Sequence, residues 1–448
     1  MRAKFFAVSL FLISLLFVTN SLLFASSQPY LPKYGINFAV GNKYHVETDF
    51  SISTPVGEFA FRRTYNSQSA ESGLLGYGWT RSFEERIISL TDRIILVEAG
   101  GRDVHFTSNG TSWVNQHGKV RTITATASGF ELLEPDGTIL AFASDGRIIS
   151  KTDRNGNQIL YSYNATSHLL ESISDNFGNE ISLAYNGGRL QTLTTPVGNF
   201  TYAYEDGNDN LTKVTAPDST YRQYRYEDAN DVHNLTGIID ETNIRTLTAG
   251  YDENDRVTSS SLAGGTEPIT INYSSDTERI ITQTTDGENI VSTYQLVLQN
   301  GVYRVFSFAG PSCSACGSST GAAYFYNSRQ QVEQVTDARG NITRFTYYSS
   351  GNRESETEAY GTQLARTTTW TYHPDSDRIA TVSKDSVSNP GQQAVTILEY
   401  DAQGNLYTRN ETGFNGSVPI SRTTTSDLLT SRELRLTFHF CQHVEITM

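Results

Sequence analysis

The sequence predicts an all-β protein in which antiparallel hairpins lie side by side in one long curved sheet. Three observations carry this expectation. Strand-like segments close on an aromatic every 19 to 25 residues through the middle of the chain. Thr/Ser-Asp-x-x-Gly-Asn turns recur between them, and the apolar content is low for 448 residues. Counting Gly and leaving out Tyr, roughly 39% of the chain is apolar, against about 45–50% in an average globular domain. A wide sheet wetted on a face needs less core than a solid globule. The 25 Tyr and 22 Phe argue against disorder, because disordered chains lack aromatics.

The closing aromatics are Tyr163, Tyr185, Tyr204, Tyr226, Tyr251, Tyr273 and Tyr294, followed by Tyr326, Tyr347, Tyr372 and Tyr400. A fixed period near 20 marks an array of supersecondary units. One unit runs Ile148, Ile149, Thr152, Asp153, Gly156, Asn157, Tyr161, Tyr163, and another runs Val332, Val335, Thr336, Asp337, Gly340, Asn341, Phe345, Tyr347. Gly and Asn are expected to supply the positive φ of a tight turn, and the alternating residues after it point to one sheet face. A single hairpin of this size is marginal in water, so neighbours must pair edge to edge and share a buried face.

At the N-terminus, Arg2 and Lys4 precede an apolar run from Phe5 to Val18, and small residues follow at Ala25-Ser26-Ser27. That is the layout of a secretory signal helix, with cutting expected near residues 25–27 and an uncleaved membrane anchor as the alternative. The mature chain is thus expected to be secreted or held at the cell envelope or surface, touching membrane only through an uncleaved signal. The net charge of −14, with no basic stripe, argues against a nucleic-acid partner. Three cysteines are present. Cys313 and Cys316 lie in a Gly/Ser-rich insertion, Gly310 to Gly321, read as a loop added to the array. Their pairing as a local disulfide is the first expectation in an oxidising compartment, ahead of free thiols or a metal or redox site.

The residue order resembles the YD repeats of bacterial RHS proteins, relatives of the extracellular teneurins, with Tyr251-Asp252 and Tyr400-Asp401 as instances of the dipeptide. Ahead of the repeats, Arg63, Tyr65, Asn66 and Ser67, then Gly73, Gly76, Gly78 and Trp79, resemble the N-terminal domain that commonly precedes them. The resemblance implies a sheet curling into a partial spiral shell. In full-length members such a shell encloses a C-terminal toxin or effector, and carbohydrate binding has been proposed for some. The chain then divides into a signal peptide (1–27), an N-terminal RHS-associated β domain (28–100), YD repeats (101–425) and an atypical tail (426–448). The family's Asp-Pro-x-Gly motif and effector are not found, so the chain reads as a truncated or frame-shifted member.

Motifs for chemistry are weak. Gly317-Ser318-Ser319-Thr320-Gly321 matches Gly-x-Ser-x-Gly but lacks the strand-to-helix turn that a nucleophile elbow requires. Asp153, Asn155 and Asn157, like Asp206, Asn208 and Asn210, alternate as calcium ligands do. No Gly or bidentate Glu follows in register, and turn hydrogen bonding explains the same residues. The eight histidines are scattered. Aromatic pairs such as Tyr202 and Tyr204, Tyr224 and Tyr226, and Trp370 and Tyr372 could form a sugar platform, though a buried cross-strand ladder is the preferred reading. Trp79 is expected in the core, and Gly73, Gly76 and Gly78 are expected to permit close turns. The expectation is therefore an exported, non-enzymatic scaffold with no cofactor. Its possible partner is a separately encoded effector, and a carbohydrate-binding surface module is the alternative.

Overall fold

The computed structural model describes residues 29–425 except 55–56, 286–287, 314–317, 375–376, 387–388, 402–403 and 417. The signal segment, the tail and Cys316 lie outside the described residues, as does the side chain of Cys313, and with them the disulfide expectation. Among the described residues there is no α-helix, only strands and two short 3-10 turns.

Two sheets dominate. A small antiparallel sheet runs from Tyr30–Leu31 and Ile36–Asn37 through the long hairpin Asn42–Thr54 and Gly57–Asn66 to Trp79–Arg81. From Arg86–Ser89 onward every strand is the antiparallel neighbour of the next in sequence, through to Val418–Thr425. Arg86 bridges Arg147, and the Ile87 N–H donates to the Gly146 carbonyl at 2.8 Å. The first strand thereby folds back against the chain just ahead of Ile148–Thr152. The last strand has no described partner beyond Leu406–Asn415. The expected all-β hairpin array is therefore present as one continuous ladder.

The ladder coils, and its second row of turns meets the first. The Gly118 N–H donates to the Arg329 carbonyl (3.2 Å), Val120 N–H to Ser350 (2.7 Å) and Asp377 N–H to Pro135 (2.9 Å). Arg154 Nη2 donates to the Gly404 carbonyl at 3.0 Å. Between 211 and 250 residues thus separate turns that stack on one another.

Each repeat is built by two local devices. In the turns, Asp153 Oδ1 accepts the N–H groups of Asn155 (2.8 Å) and Asn157 (2.9 Å), while Asn157 Nδ2 donates to Asp153 Oδ2 at 2.9 Å. The same closure joins Asp175 to Asn179, Asp337 to Asn341 and Asp401 to Asn405. Only the glycine takes positive φ, as at Gly156 (81°) and Gly340 (82°). The asparagine, expected to share that role, instead acts through its side chain. It locks both oxygens of the aspartate, which explains why this Asp/Asn alternation belongs to the turn.

The second device is a register shift. A β-bulge falls immediately before Tyr163, Tyr185, Tyr251, Tyr326, Tyr347, Tyr372 and Tyr400. A bulge re-aims the side chain that follows it. After the bulge the hydroxyl of several of these rings reaches a main-chain carbonyl at or just ahead of a preceding strand: Tyr185 donates to Leu170 (2.8 Å), Tyr251 to Leu235 (2.8 Å), Tyr347 to Val332 (2.7 Å) and Tyr400 to Ile379 (3.0 Å). Tyr273, with no bulge before it, donates likewise to Val257 at 2.7 Å.

The insertion read as a loop is ladder instead. Strands Val302–Cys313 and Ser318–Tyr326 pair to the tip, with Ser312 opposite Ser319 and Cys313 opposite Ser318. The ladder breaks register between Ala309 and Ser312 and resumes at Ser312 opposite Ser319.

Candidate functional site

The small sheet lies against the core-facing side of the ladder, and the residues singled out ahead of the repeats converge there. Phe50, Phe59, Phe61, Tyr65, Leu75 and Trp79 share one apolar cluster with the ladder strands up to Ala249. Tyr34, Ile36 and Phe38 share a second with strands from Val257 to Val335. The small sheet thus supplies the core that a single-layer ladder lacks, which is how a chain of modest apolar content buries a face.

A polar seam is threaded through this core. Arg63, 1% exposed, forms a bidentate pair with Asp49: Nε to Oδ2 at 2.7 Å and Nη2 to Oδ1 at 2.8 Å. Arg63 Nη2 also donates to the Tyr224 hydroxyl (2.8 Å), and the Tyr202 hydroxyl donates to Asp49 Oδ2 (2.7 Å). The guanidinium lies over Trp79 at 5.1 Å and Tyr224 at 5.3 Å. Burial opposes its charge, but the Asp49 carboxylate more than offsets this and holds Arg63 protonated. Burial also pushes the Tyr202 and Tyr224 hydroxyls far above the ordinary phenol range.

Around this centre each family-motif residue has a structural task. Trp79 Nε1 donates to the Tyr226 hydroxyl (2.9 Å), which itself donates to the Leu211 carbonyl (3.0 Å). The Tyr65 hydroxyl donates to the His233 carbonyl (2.9 Å) and accepts the Leu235 N–H (3.0 Å). Asn66 Nδ2 donates to Gly100, and Ser67 Oγ accepts the Lys43 N–H. The Gly73 carbonyl accepts Arg189 Nη1 at 2.9 Å. Gly76, at φ 88°, comes so close to Asp209 that a Cβ would strike its carbonyl, and Gly78, at φ 71°, lies under the Tyr65 ring. These glycines are needed for close approach at positive φ.

The repeat tyrosines divide by neighbourhood. Tyr204 donates to Leu190 at 2.9 Å, and Tyr163 lies under Arg147 at 4.7 Å. Tyr294 packs between Phe38 (4.5 Å) and Phe308 (5.0 Å), and burial raises its hydroxyl to about 12. Tyr372 meets Tyr348 edge-on at 6.1 Å. Of the aromatic pairs considered as a sugar platform, Tyr202 and Tyr224 are buried with their hydroxyls engaged, whereas Trp370 and Tyr372 are half-buried on the second row. Ser318 to Gly321 sit on a strand, without the elbow that a nucleophilic serine needs.

Sequence reasoning missed several partners. Arg81, 3% exposed, pairs with Glu84 Oε1 (2.9 Å) and donates to the Tyr185 hydroxyl (2.7 Å). Glu47 joins His45 and Arg222. Burial pushes its carboxyl up, but the His45 hydrogen bond and the charges of His45, Arg63 and Arg222 outweigh this and bring it down to about 2. Lys43 is fully buried and donates to the Tyr34 carbonyl; burial lowers its ammonium to about 7. Arg279 caps the carbonyls of Phe38 (3.0 Å) and Ala39 (2.6 Å). No local pattern marks these residues, because their partners are up to 241 positions away. Among the described residues no group of His, Cys, Asp and Glu is arranged to hold a metal.

Comparison with known proteins matches the segment that holds Asp49, Arg63 and Trp79. Residues 33–106 match the model of a domain of unknown function, DUF6531. The tRNA nuclease WapA of Bacillus subtilis (strain 168) is 30% identical over 142 residues, which is 31% of this chain and 6% of that protein. The tRNA(Glu)-specific nuclease WapA of Bacillus subtilis subsp. natto (strain BEST195) matches to the same extent. Among solved structures, a TcdB2-TccC3 fusion is 11% identical with a TM-score of 0.40, covering 82% of this chain and 23% of that one. The Photorhabdus luminescens Tc holotoxin pore is 10% identical with a TM-score of 0.42, covering 85% and 23%. The chain therefore spans only a small part of the length of these proteins. The DUF6531 match, followed by hairpin repeats closed on bulged tyrosines, supports an RHS/YD-type protein.

Proposed function

We propose that this chain is a wall-forming scaffold: an exported, non-enzymatic segment of an RHS/YD shell whose small N-terminal sheet fills the core-facing side. The coiled ladder carries this reading, because its second row of turns stacks on the first through Gly118, Val120 and Asp377. A sheet wound on itself shields edges that would otherwise template aggregation. The buried Arg63 and Asp49 pair with each other and with the Tyr224 and Tyr202 hydroxyls, and so lock the small sheet to the ladder.

The match covers 6% of the WapA proteins, so the nuclease activity in their name is not carried over to this chain. The partner is an effector encoded separately and enclosed by the wall.

The test uses the purified mature chain. Incubation with tRNA and with a broad panel of hydrolase substrates is expected to yield no turnover, and a glycan array is expected to be blank. Cleavage of tRNA, or any activity lost in Ser319→Ala, would overturn the non-enzymatic reading. Selective glycan signal would favour a binding module. N-terminal sequencing of exported material is expected to begin near residue 28.

A further inference from the structure

The ladder divides into two parts of unequal burial. Every fully buried apolar side chain of the long sheet lies between Ile87 and Val335. From strand Ile342–Tyr347 onward, among the described residues, no apolar side chain is fully buried, and Val418–Thr425 is exposed at every position. The cause is the reach of the small sheet. The buried clusters that hold its apolar residues reach strands up to Val335, and beyond that only Phe345 of Ile342–Tyr347 packs, half-buried, against the second of them among the described residues.

What holds these later strands to the first row is a polar seam of turn tips. It consists of the Val120 to Ser350 and Asp377 to Pro135 main-chain bonds, the Arg154 bond to Gly404, and the ion pair of Lys119 with Asp377. At its tightest point Gly351, at φ 85°, lies so close that a Cβ would sit 2.5 Å from the Gly118 carbonyl oxygen. Toward the chain's own first part, Ile342–Tyr347 is joined to Val332–Asp337 by three ladder pairs and the Tyr347 hydroxyl bond to Val332, and Gln331 Nε2 donates to the Gly351 carbonyl at 2.7 Å. Segments with few buried apolar contacts and solvent-reachable hydrogen bonds open below the global unfolding free energy.

We propose that the strands from Ile342–Tyr347 to Val418–Thr425 form a flap that opens as one unit along this seam. The flap hinges on the short ladder at Gln334, Val335 and Thr336. Opening it uncovers the core-facing side of the wall while the strands from Arg86 to Asp337 stay folded around the small sheet. The inference needs only the fold and stands whether or not the scaffold reading holds.

Native-state hydrogen exchange on the full chain, read by mass spectrometry, tests it. Amides of the flap strands are expected to exchange together, at least about tenfold faster than those of Ile173, Leu193 and Ile238. Gly351→Ala, which crowds the seam, and Lys119→Ala, which removes the ion pair, are each expected to speed the flap further without changing those core amides. A cysteine pair introduced by Val120→Cys and Ser350→Cys, at positions whose main chains already hydrogen-bond across the seam at 2.7 Å, is expected, once oxidised, to slow the flap toward core rates. Equal protection of the two parts in the unmodified chain, or variants that speed both parts alike, would overturn the proposal.

Discussion

Arg63 and Asp49 face each other in a two-pronged pair that is 1% and 5% exposed, roofed by Trp79 and Tyr224. Their strands belong to the small sheet, while Tyr202 and Tyr224 belong to the ladder. The pair therefore joins two sheets that share no strand. Breaking one partner of a buried ion pair leaves an uncompensated charge, so Arg63→Ala and Asp49→Ala are each expected to cost about 3–5 kcal/mol. Urea unfolding measures this. Replacing both, as Arg63→Met with Asp49→Leu, is expected to recover most of the loss, since apolar packing often substitutes for such pairs.

The tyrosine hydroxyls should rank by how many buried groups depend on them. Tyr226 both accepts from Trp79 and donates to Leu211, whereas Tyr347 donates to Val332 and otherwise meets only the exposed Arg353 side chain. Removing a hydroxyl leaves its partners unsatisfied at roughly 1–3 kcal/mol each when buried. Tyr226→Phe is expected to lower the thermal midpoint more than Tyr347→Phe, with a difference of at least ~1 kcal/mol in unfolding free energy.

The turn aspartates spend both oxygens on their own backbone and asparagine. Asp337→Ala is expected to cost about 1 kcal/mol, the usual value of a local side-chain cap. Calorimetry with added calcium or with a chelator is expected to give the same transition temperature. A calcium-dependent rise that Asp337→Ala and Asp153→Ala abolish would show that these turns do bind the ion.

Stability should depend on pH through Lys43. Its folded value of about 7 lies below the ordinary value of 10.5, so between these the unfolded chain binds more protons than the folded one. The destabilisation is complete below pH 7 and is relieved as pH rises toward 10. Above 10 the buried tyrosines reverse the trend, because burial raises Tyr163, Tyr294 and Tyr324 to about 12 and the unfolded chain ionises first. Unfolding titrated from pH 6 to 11 is expected to show a maximum in between, and Lys43→Met is expected to flatten the rise from 7. An unchanged rise in that variant would remove Lys43 as its source.

The repeat unit was legible because it is local. The Asp, Gly and Asn of each turn lie within five positions, and the tyrosine follows at strand distance. Period and turn chemistry thus determined an antiparallel hairpin array, and the motif from Arg63 to Trp79 marked where a different element begins. The sequence also overstated two features: the asparagine of the Asp-x-x-Gly-Asn turns does not take positive φ, and the insertion around Cys313 continues the ladder.

Only the tertiary structure decided what fills the sheet and where it is left bare. Asp49 has no motif, and its pairing with Arg63 becomes meaningful only once Tyr202 and Tyr224 arrive from more than 150 positions away. Likewise Gly118 meets Arg329 and Arg154 meets Gly404 because of the curvature summed over many strands. Short-range hydrogen bonding is written in adjacent residues, whereas curvature and sheet-on-sheet contact accumulate along the whole ladder, so no single window of sequence contains them.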